Sequence, residues 1–478
     1  MPALILGLAL VGQAEPGAFD QRRAALDRSY AGRFLALALA AEKEGQEATA
    51  RRLFERILDL DGDHGIARGR LAFSRRGAGW TRSSLEEAAL QGRSDRDPAR
   101  VEEFRDRRRV LEEARANELA RLALRTASPD ERAEVLVGLL AFAPRAEEVH
   151  RALGHERIGE AWVRTELSAM ARAMPRRLAA WADCRGATET RRTGETLAFA
   201  GLTPGRAILA VGDRRVASGL PRGEGASLAS LTEASHRLLR LLFGDEAPRC
   251  DPSPVYFLDA NQYRAFVHSR HPEHAIRTRK LRFSTYRARD CCAFRAPPQD
   301  AIDLYAHSVG FWTVEALLAT SEKGTQADDD AHSWFKEGLG LLLTLELFDT
   351  ARSWFTSRTE STGKAQPTLP LPEERTVRNC LRYLEGQLYD GALPSLREIW
   401  ANSLNNLDRV RAIVAWSFLR FLALFDPDGF RRFPESLRAP APGPPVERAE
   451  RALAAAFGRP AEELERLWRA WLLELATS

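Results

Sequence analysis

Two periods of apolar and polar residues divide this chain. Up to about residue 183 the apolar positions recur at helical spacing, and Ala38, Ala50 and Phe54 fall where a pair of packed helices would place them. Within that part the sequence repeats itself. Residues 57–82 (ILDLDGDHGIARGRLAFSRRGAGWTR) align without a gap on residues 139–164 (LLAFAPRAEEVHRALGHERIGEAWVR) at an offset of 82. Leu71 meets Leu153, Arg75 meets Arg157, Gly77 meets Gly159, Trp80 meets Trp162 and Arg82 meets Arg164. Each copy follows an amphipathic helix and ends in a Gly-then-Trp turn, which predicts a stacked helical unit whose apolar face needs a neighbour. The segment between the copies, 101–125, reads as a strongly charged helix with a solvated face.

The texture changes near residue 183. Short β-prone runs with Gly and Pro punctuation occupy 193–221, followed by a helix over 226–243 and a strand at VYFL (255–258). A helix around NQYRAFVHSR and one strand-like run, RFSTYRARDCCAF (282–294), complete a small α+β part. From 299 the pattern is helical to the last helix, EELERLWRAWLLEL, with a break at APAPGPP (439–445). The expected fold is therefore α+β and predominantly helical. Its expected divisions are 1–14, a helical repeat region over 15–182, a strand-rich part over 183–298 and a helical part over 299–478.

Composition changes this picture little. At 478 residues, two or three domains can each bury a core. The net charge of +4 is small for that length and gives no reason to expect nucleic acid as a partner. The cations are 65 Arg against five Lys, which reads as compositional background. The nine-residue apolar run Ala3–Val11, followed by Gly12-Gln13-Ala14, fits a secretory signal segment over 1–14 and an exported protein, although no basic residue precedes it. No other segment has 18 uncharged apolar residues, so no transmembrane segment is expected. Five Cys (184, 250, 291, 292 and 380) are too few and too unevenly placed for a disulfide framework, leaving buried or singly bridged thiols.

The candidate chemistry lies in two stretches. Residues 304–319 read LYAHSVGFWTVEALLA and residues 332–343 read HSWFKEGLGLLL. The order of elements over about 225–475 resembles the peptidase MA-like family, gluzincin-type zinc metallopeptidases often fused to helical repeats. The first repeat copy, with Gly62 closing its second helix, resembles a tetratricopeptide repeat. Together these resemblances imply tetratricopeptide-like repeats followed by a zincin-like domain. In such a domain two His at i and i+4 bind zinc, a Glu beside the first acts as general base, and a Glu from a later helix completes the ligand set. Carried over, His307 takes the first ligand's place and Glu337 the third's. Ser308 stands at the general-base position and Phe311 at the second-ligand position. A hydroxyl cannot replace the carboxylate base, whose loss typically costs about 10²–10⁴ in rate, and a phenyl ring cannot bind the ion.

The resemblance thus implies a non-catalytic peptidase-like protein without a cofactor, which binds a polypeptide or envelope partner. In it His307 and Glu337 would be remnants paired to each other by a hydrogen bond, and Phe311 would fill the vacated ligand position. The alternative is a living zinc metallopeptidase in which His332 substitutes for the lost ligand. A further alternative is a helical-repeat scaffold whose groove is filled. Glu315, about 80° around the helix from His307, reads as a surface charge. His268, His271 and His274 lie in a stretch that Pro272 interrupts, and HERIG (155–159) aligns with FSRRG in the first copy and reads as structural. The sequence contains no P-loop, no dinucleotide-binding Gly motif after a strand and no nucleophile elbow.

Overall fold

A computed structural model describes residues 18–76, 79–81, 95–140, 142–186, 188–196, 207–211, 214–218, 224–273, 284–295, 300–319, 332–351, 374–403, 407–439 and 443–474. The apolar run at the N-terminus and His274 lie outside these residues. The described chain is predominantly helical with one mixed sheet and two small hairpins. It divides into two compact units, one ending at Ser168 and also containing Leu473 and Glu474, the other beginning at Ala169. No described helix is long and apolar enough to cross a membrane.

The first unit opens with the helix pair α1 (Ala18–Lys43) and α2 (Glu47–Leu60). Ala38, Ala50 and Phe54 are buried in its core with Tyr30, Phe34 and Leu53. Next come α3 (Gly65–Arg70), β1 (Ser74–Arg76) and β2 (Gly79–Thr81). The long helix α4 (Pro98–Thr126) starts where the Asp97 side chain accepts the Ala99 N–H, with Pro98 at the first helical position. After it run α5 (Pro129–Leu140), α6 (Glu147–Ala152), β3 (Glu156–Ile158) and β4 (Ala161–Val163).

The charged run in α4 is not a wholly solvated face. Glu112 is buried and receives Arg56 of α2 through two hydrogen bonds of 2.7 and 2.9 Å. Arg115 is buried against Asp27 of α1 at 2.7 Å. Buried charges need such partners, because either one left alone would carry the full cost of desolvation.

Helix α3 with β1 and β2 has its counterpart in α6 with β3 and β4, each element starting and ending 82 residues later. Both pairs of strands are antiparallel, with Arg75 opposite Trp80 and Arg157 opposite Trp162. What the sequence presents as a Gly-then-Trp turn is therefore a short hairpin, and strands of three residues are too short to display a period of two. The equivalence extends to a backbone irregularity. Ala72 and Gly154, also 82 apart, both adopt left-handed φ values, 59° and 70°. Gly adopts that conformation at no steric cost, whereas Ala carries a Cβ penalty.

The second unit contains the end of α7 (Thr165–Asp183) and six strands, β5 (Thr190–Thr196), β6 (Ala207–Val211), β7 (Arg214–Ser218), β8 (Val255–Leu258), β9 (Ser284–Arg287) and β10 (Cys292–Arg295). They form one sheet in the order β5-β6-β7-β8-β10-β9, parallel at β7/β8 and β8/β10 and antiparallel elsewhere. The run 282–294, expected as one strand, is two antiparallel strands, β9 and β10, with polar residues of the RARD stretch between them. Two helices, α8 (Glu224–Phe243) and α9 (Ala260–Arg270), are interleaved with these strands.

The remaining helices are α10 (Ala301–Leu318), α11 (Ser333–Phe348), α12 (Val377–Tyr389), α13 (Leu396–Trp400), α14 (Arg409–Phe425), α15 (Pro427–Arg438), α16 (Pro445–Phe457) and α17 (Ala461–Glu474). Their core is aromatic. Trp334 lies 6.1 Å from Trp400 and 6.0 Å from Phe433, and Phe418 lies 5.9 Å from Trp468. Such ring pairs add to the stabilisation from burial alone.

Glycine sets how closely α10, α11 and α14 approach. A Cβ on Gly310 would stand 2.8 Å from both Gly340 Cα and the Leu339 carbonyl oxygen. A Cβ on Gly338 would stand 2.8 Å from Leu419 Cδ1. Helix α11 is thus held against α10 on one side and α14 on the other at spacings that only glycine permits.

Candidate functional site

The crossing of α10 and α11 brings the two carried-over ligand positions together. His307 Nε2 lies 3.3 Å from Glu337 Oε2, and neither side chain is exposed. Gly340 makes room for the ring, since a Cβ there would stand 3.0 Å from His307 Nε2 and 2.9 Å from its carbonyl oxygen. The pair is therefore placed by the helix backbones.

The other positions of the expected site do different work. Ser308 is fully buried, and its hydroxyl donates to the Leu304 carbonyl at 2.7 Å. That bond commits the hydroxyl proton to the helix and satisfies an otherwise costly buried polar group. Phe311 is half-buried. Its ring lies under the ammonium of buried Lys336, with Nζ 5.4 Å from the centroid. Lys336 also reaches Glu315 Oε1 at 3.7 Å, and Arg287 bonds the same carboxylate at 3.2 Å. Glu315 is thus a partly exposed charge engaged by two cations, directed away from any ligand role.

His332 caps the start of α11 with its backbone. Its carbonyl accepts the N–H groups of Phe335 and Lys336 at 3.0 and 3.1 Å. Among the described residues, no three His, Cys, Asp or Glu side chains gather into a group able to hold a metal ion.

The donor set can be tested against zinc. Two donors on a tetrahedral ion with bonds of about 2.1 Å stand about 3.4 Å apart, and His307 and Glu337 come close to that at 3.3 Å. A catalytic ion needs a third protein donor. At the position the resemblance assigns to the second imidazole there is a phenyl ring beneath an ammonium, and neither group can bind a metal ion. Among the described residues, His307 and Glu337 supply two of the three protein donors a catalytic zinc takes.

A second buried polar cluster gave no local signal in the sequence. His236 of α8 places Nε2 3.0 Å from Asp251 Oδ1 and 3.2 Å from the Tyr305 hydroxyl. Tyr305, two residues before His307 on α10, donates to Asp251 Oδ2 at 2.5 Å. All three side chains are buried. The Tyr305 hydroxyl bridges His236 and Asp251, and the cluster joins α8, the segment before β8 and α10, and so fixes the helix that carries His307.

The cysteines offer no nucleophile. All five are buried free thiols. Burial pushes Cys250 and Cys291 up to about 11 and Cys380 up to about 12. Burial raises Cys184 as well, so these four are thiols at neutral pH, and the thiolate is the reactive form. His268 is exposed near the end of α9, and His271, also exposed, follows its last residue. No family model, no curated protein and no solved structure matches this chain.

Proposed function

We propose that this chain is a non-catalytic protein on a gluzincin-like helical body and that it binds a polypeptide or envelope partner after export. The observation that carries the non-catalytic half is the fate of the two decisive positions. Ser308 is turned to the Leu304 carbonyl, and Phe311 lies beneath the Lys336 ammonium. Neither can accept a proton from a bound water or hold an ion. The partner-binding half rests on the tetratricopeptide-like resemblance of the first unit, since stacked helical pairs present extended binding faces.

A second reading is a zinc metallopeptidase with a reworked ligand set. The 3.3 Å separation of His307 and Glu337 favours it, because two ligands of one ion stand at nearly that spacing. Elemental analysis of the purified protein, before and after dialysis against chelator, separates the two. Absence of stoichiometric metal, with an unchanged fold in His307→Ala, is the expected result. About one zinc per chain, lost in His307→Ala and accompanied by hydrolysis of a denatured protein substrate, would overturn the proposal.

A further inference from the structure

The two repeat copies put different chemistry at one structural position. In the first copy, Arg68 Nε donates to the Gly62 carbonyl at 2.7 Å. Its guanidinium carbon lies 5.4 Å from the Phe73 ring and 4.9 Å from the Trp80 ring. Arg68 also has a counter-ion, Asp63, at 3.7 Å.

In the second copy the carbonyl and both ring positions recur 82 residues later around a histidine. His150 Nε2 lies 2.5 Å from the Pro144 carbonyl, its ring is stacked on Trp162 at 6.0 Å, and its Nδ1 is 2.8 Å from Nδ1 of His155. The position equivalent to Asp63 is Arg145.

These distances assign the protons. A carbonyl can only accept, so His150 carries its hydrogen on Nε2, and its Nδ1 is an acceptor. His155 then carries its hydrogen on Nδ1 and donates it to His150. The pair holds while one hydrogen lies between the two Nδ1 atoms, donated by His155 when both rings are neutral or by a protonated His150 to a neutral His155. When each ring carries a hydrogen on both nitrogens, two Nδ1–H groups oppose each other at 2.8 Å. A donor facing a donor there is repulsive.

We propose that the second copy is an acid-opened latch: protonation of the His150–His155 pair releases the β3–β4 hairpin from α6, while the first copy, built on a permanent cation, stays closed.

The surroundings favour opening. Arg164, which follows β4, disfavours a charge on both rings, and the Pro144 carbonyl and Glu166 oppose it only in part. Arg164 is itself held by Glu474 at 2.7 Å. Burial pushes the Glu474 carboxyl above its ordinary value, so acid also weakens that hold. From α4, Arg121 reaches Glu148 at 3.6 Å and Asn117 accepts the Glu148 N–H. Neither brings a negative charge to the histidines.

Hydrogen–deuterium exchange of the full chain at pH 7.5 and 4.5, corrected for intrinsic rates, tests this. Exchange over residues 150–163 is expected to accelerate about tenfold or more in acid, with little change over residues 68–76. The same acceleration in both copies, or none in either, would overturn the latch. His150→Gln keeps an N–H for the Pro144 carbonyl without a titrating group and is expected to abolish the acceleration; an unchanged acceleration would overturn the proposal. If that variant fails to fold, carbon-13 histidine spectra of the unaltered protein decide. Two coupled histidine resonances titrating well below the ordinary value are expected, and titration of both near 6.5 would count against the latch.

Discussion

Arg68 and His150 occupy one place in two copies of the same short motif, and each bonds the carbonyl six residues earlier and stacks on the Trp twelve residues later. The first copy keeps a charge at the surface with an acid nearby. The second hides a neutral ring, with an arginine at the equivalent position. The backbone of the motif therefore does not depend on the chemistry at its centre. What differs is how each copy responds to its solvent, because a guanidinium is charged at every accessible pH and an imidazole is not.

The largest separation of the copies is expected in acid. Burial, helped by His155 and Arg164, lowers His150 from 6.5 to about 4. The folded state then binds fewer protons than the unfolded one. His150 contributes its stability fully above pH 6.5 and loses it as the pH falls toward about 4. That span corresponds to about 3 kcal/mol. Urea unfolding at pH 7.5 and 4.5 is expected to show most of this loss in the unaltered chain and not in His150→Gln. Equal losses in both would erase the distinction between the copies.

Next in size is Arg68→Ala, which removes the hydrogen bond to Gly62 and both ring contacts. A loss of about 1–2 kcal/mol is expected. It should be the same at pH 7.5 and 5, since no histidine faces Arg68 as His155 faces His150. A loss that varies with pH in urea unfolding would contradict the assignment.

The strained backbone position gives a smaller and opposite pair of effects. Gly154 has φ 70° and open space around its missing Cβ, so Gly154→Ala meets only the left-handed penalty, about 1 kcal/mol. Ala72→Gly relieves the same strain in the first copy and should return up to about 1 kcal/mol. Thermal melting of the two variants checks the signs. Smallest of all is Asp63→Asn. The Asp63 side chain is 90% exposed, so melting should be unchanged within error.

The helical elements and the repeat were readable because their signal is local. The VYFL run, the helix around His307 and the start of α11 at His332 all follow from nearby residues, whereas the closeness of His307 to Glu337 was expected only from the family resemblance, and of the hydrogen bond expected there the structure shows the 3.3 Å approach. Signals spread over long separations were not readable. His236 reads as one more position in an apolar helix, and Asp251 as part of a Pro-rich turn. Nothing local links either to Tyr305, which lies 69 and 54 residues away from them. The partner of Phe311 was equally hidden, because Lys336 lies on another helix. The Nδ1 contact of His150 with His155 depends on a ring rotation that a pattern of residue types does not encode.

The glycine crossing of α10 and α11 also fixes register. Sliding one helix past the other by a turn would bring Lys336 or Thr344 to the place where Gly340 meets the His307 carbonyl, and neither side chain fits a gap that excludes even a Cβ. The spacing of His307 and Glu337 is thus a property of the main chain, and substitutions at the surface should leave it untouched. The two helices therefore act as a gauge, holding two buried polar side chains at a set distance through main-chain contact alone.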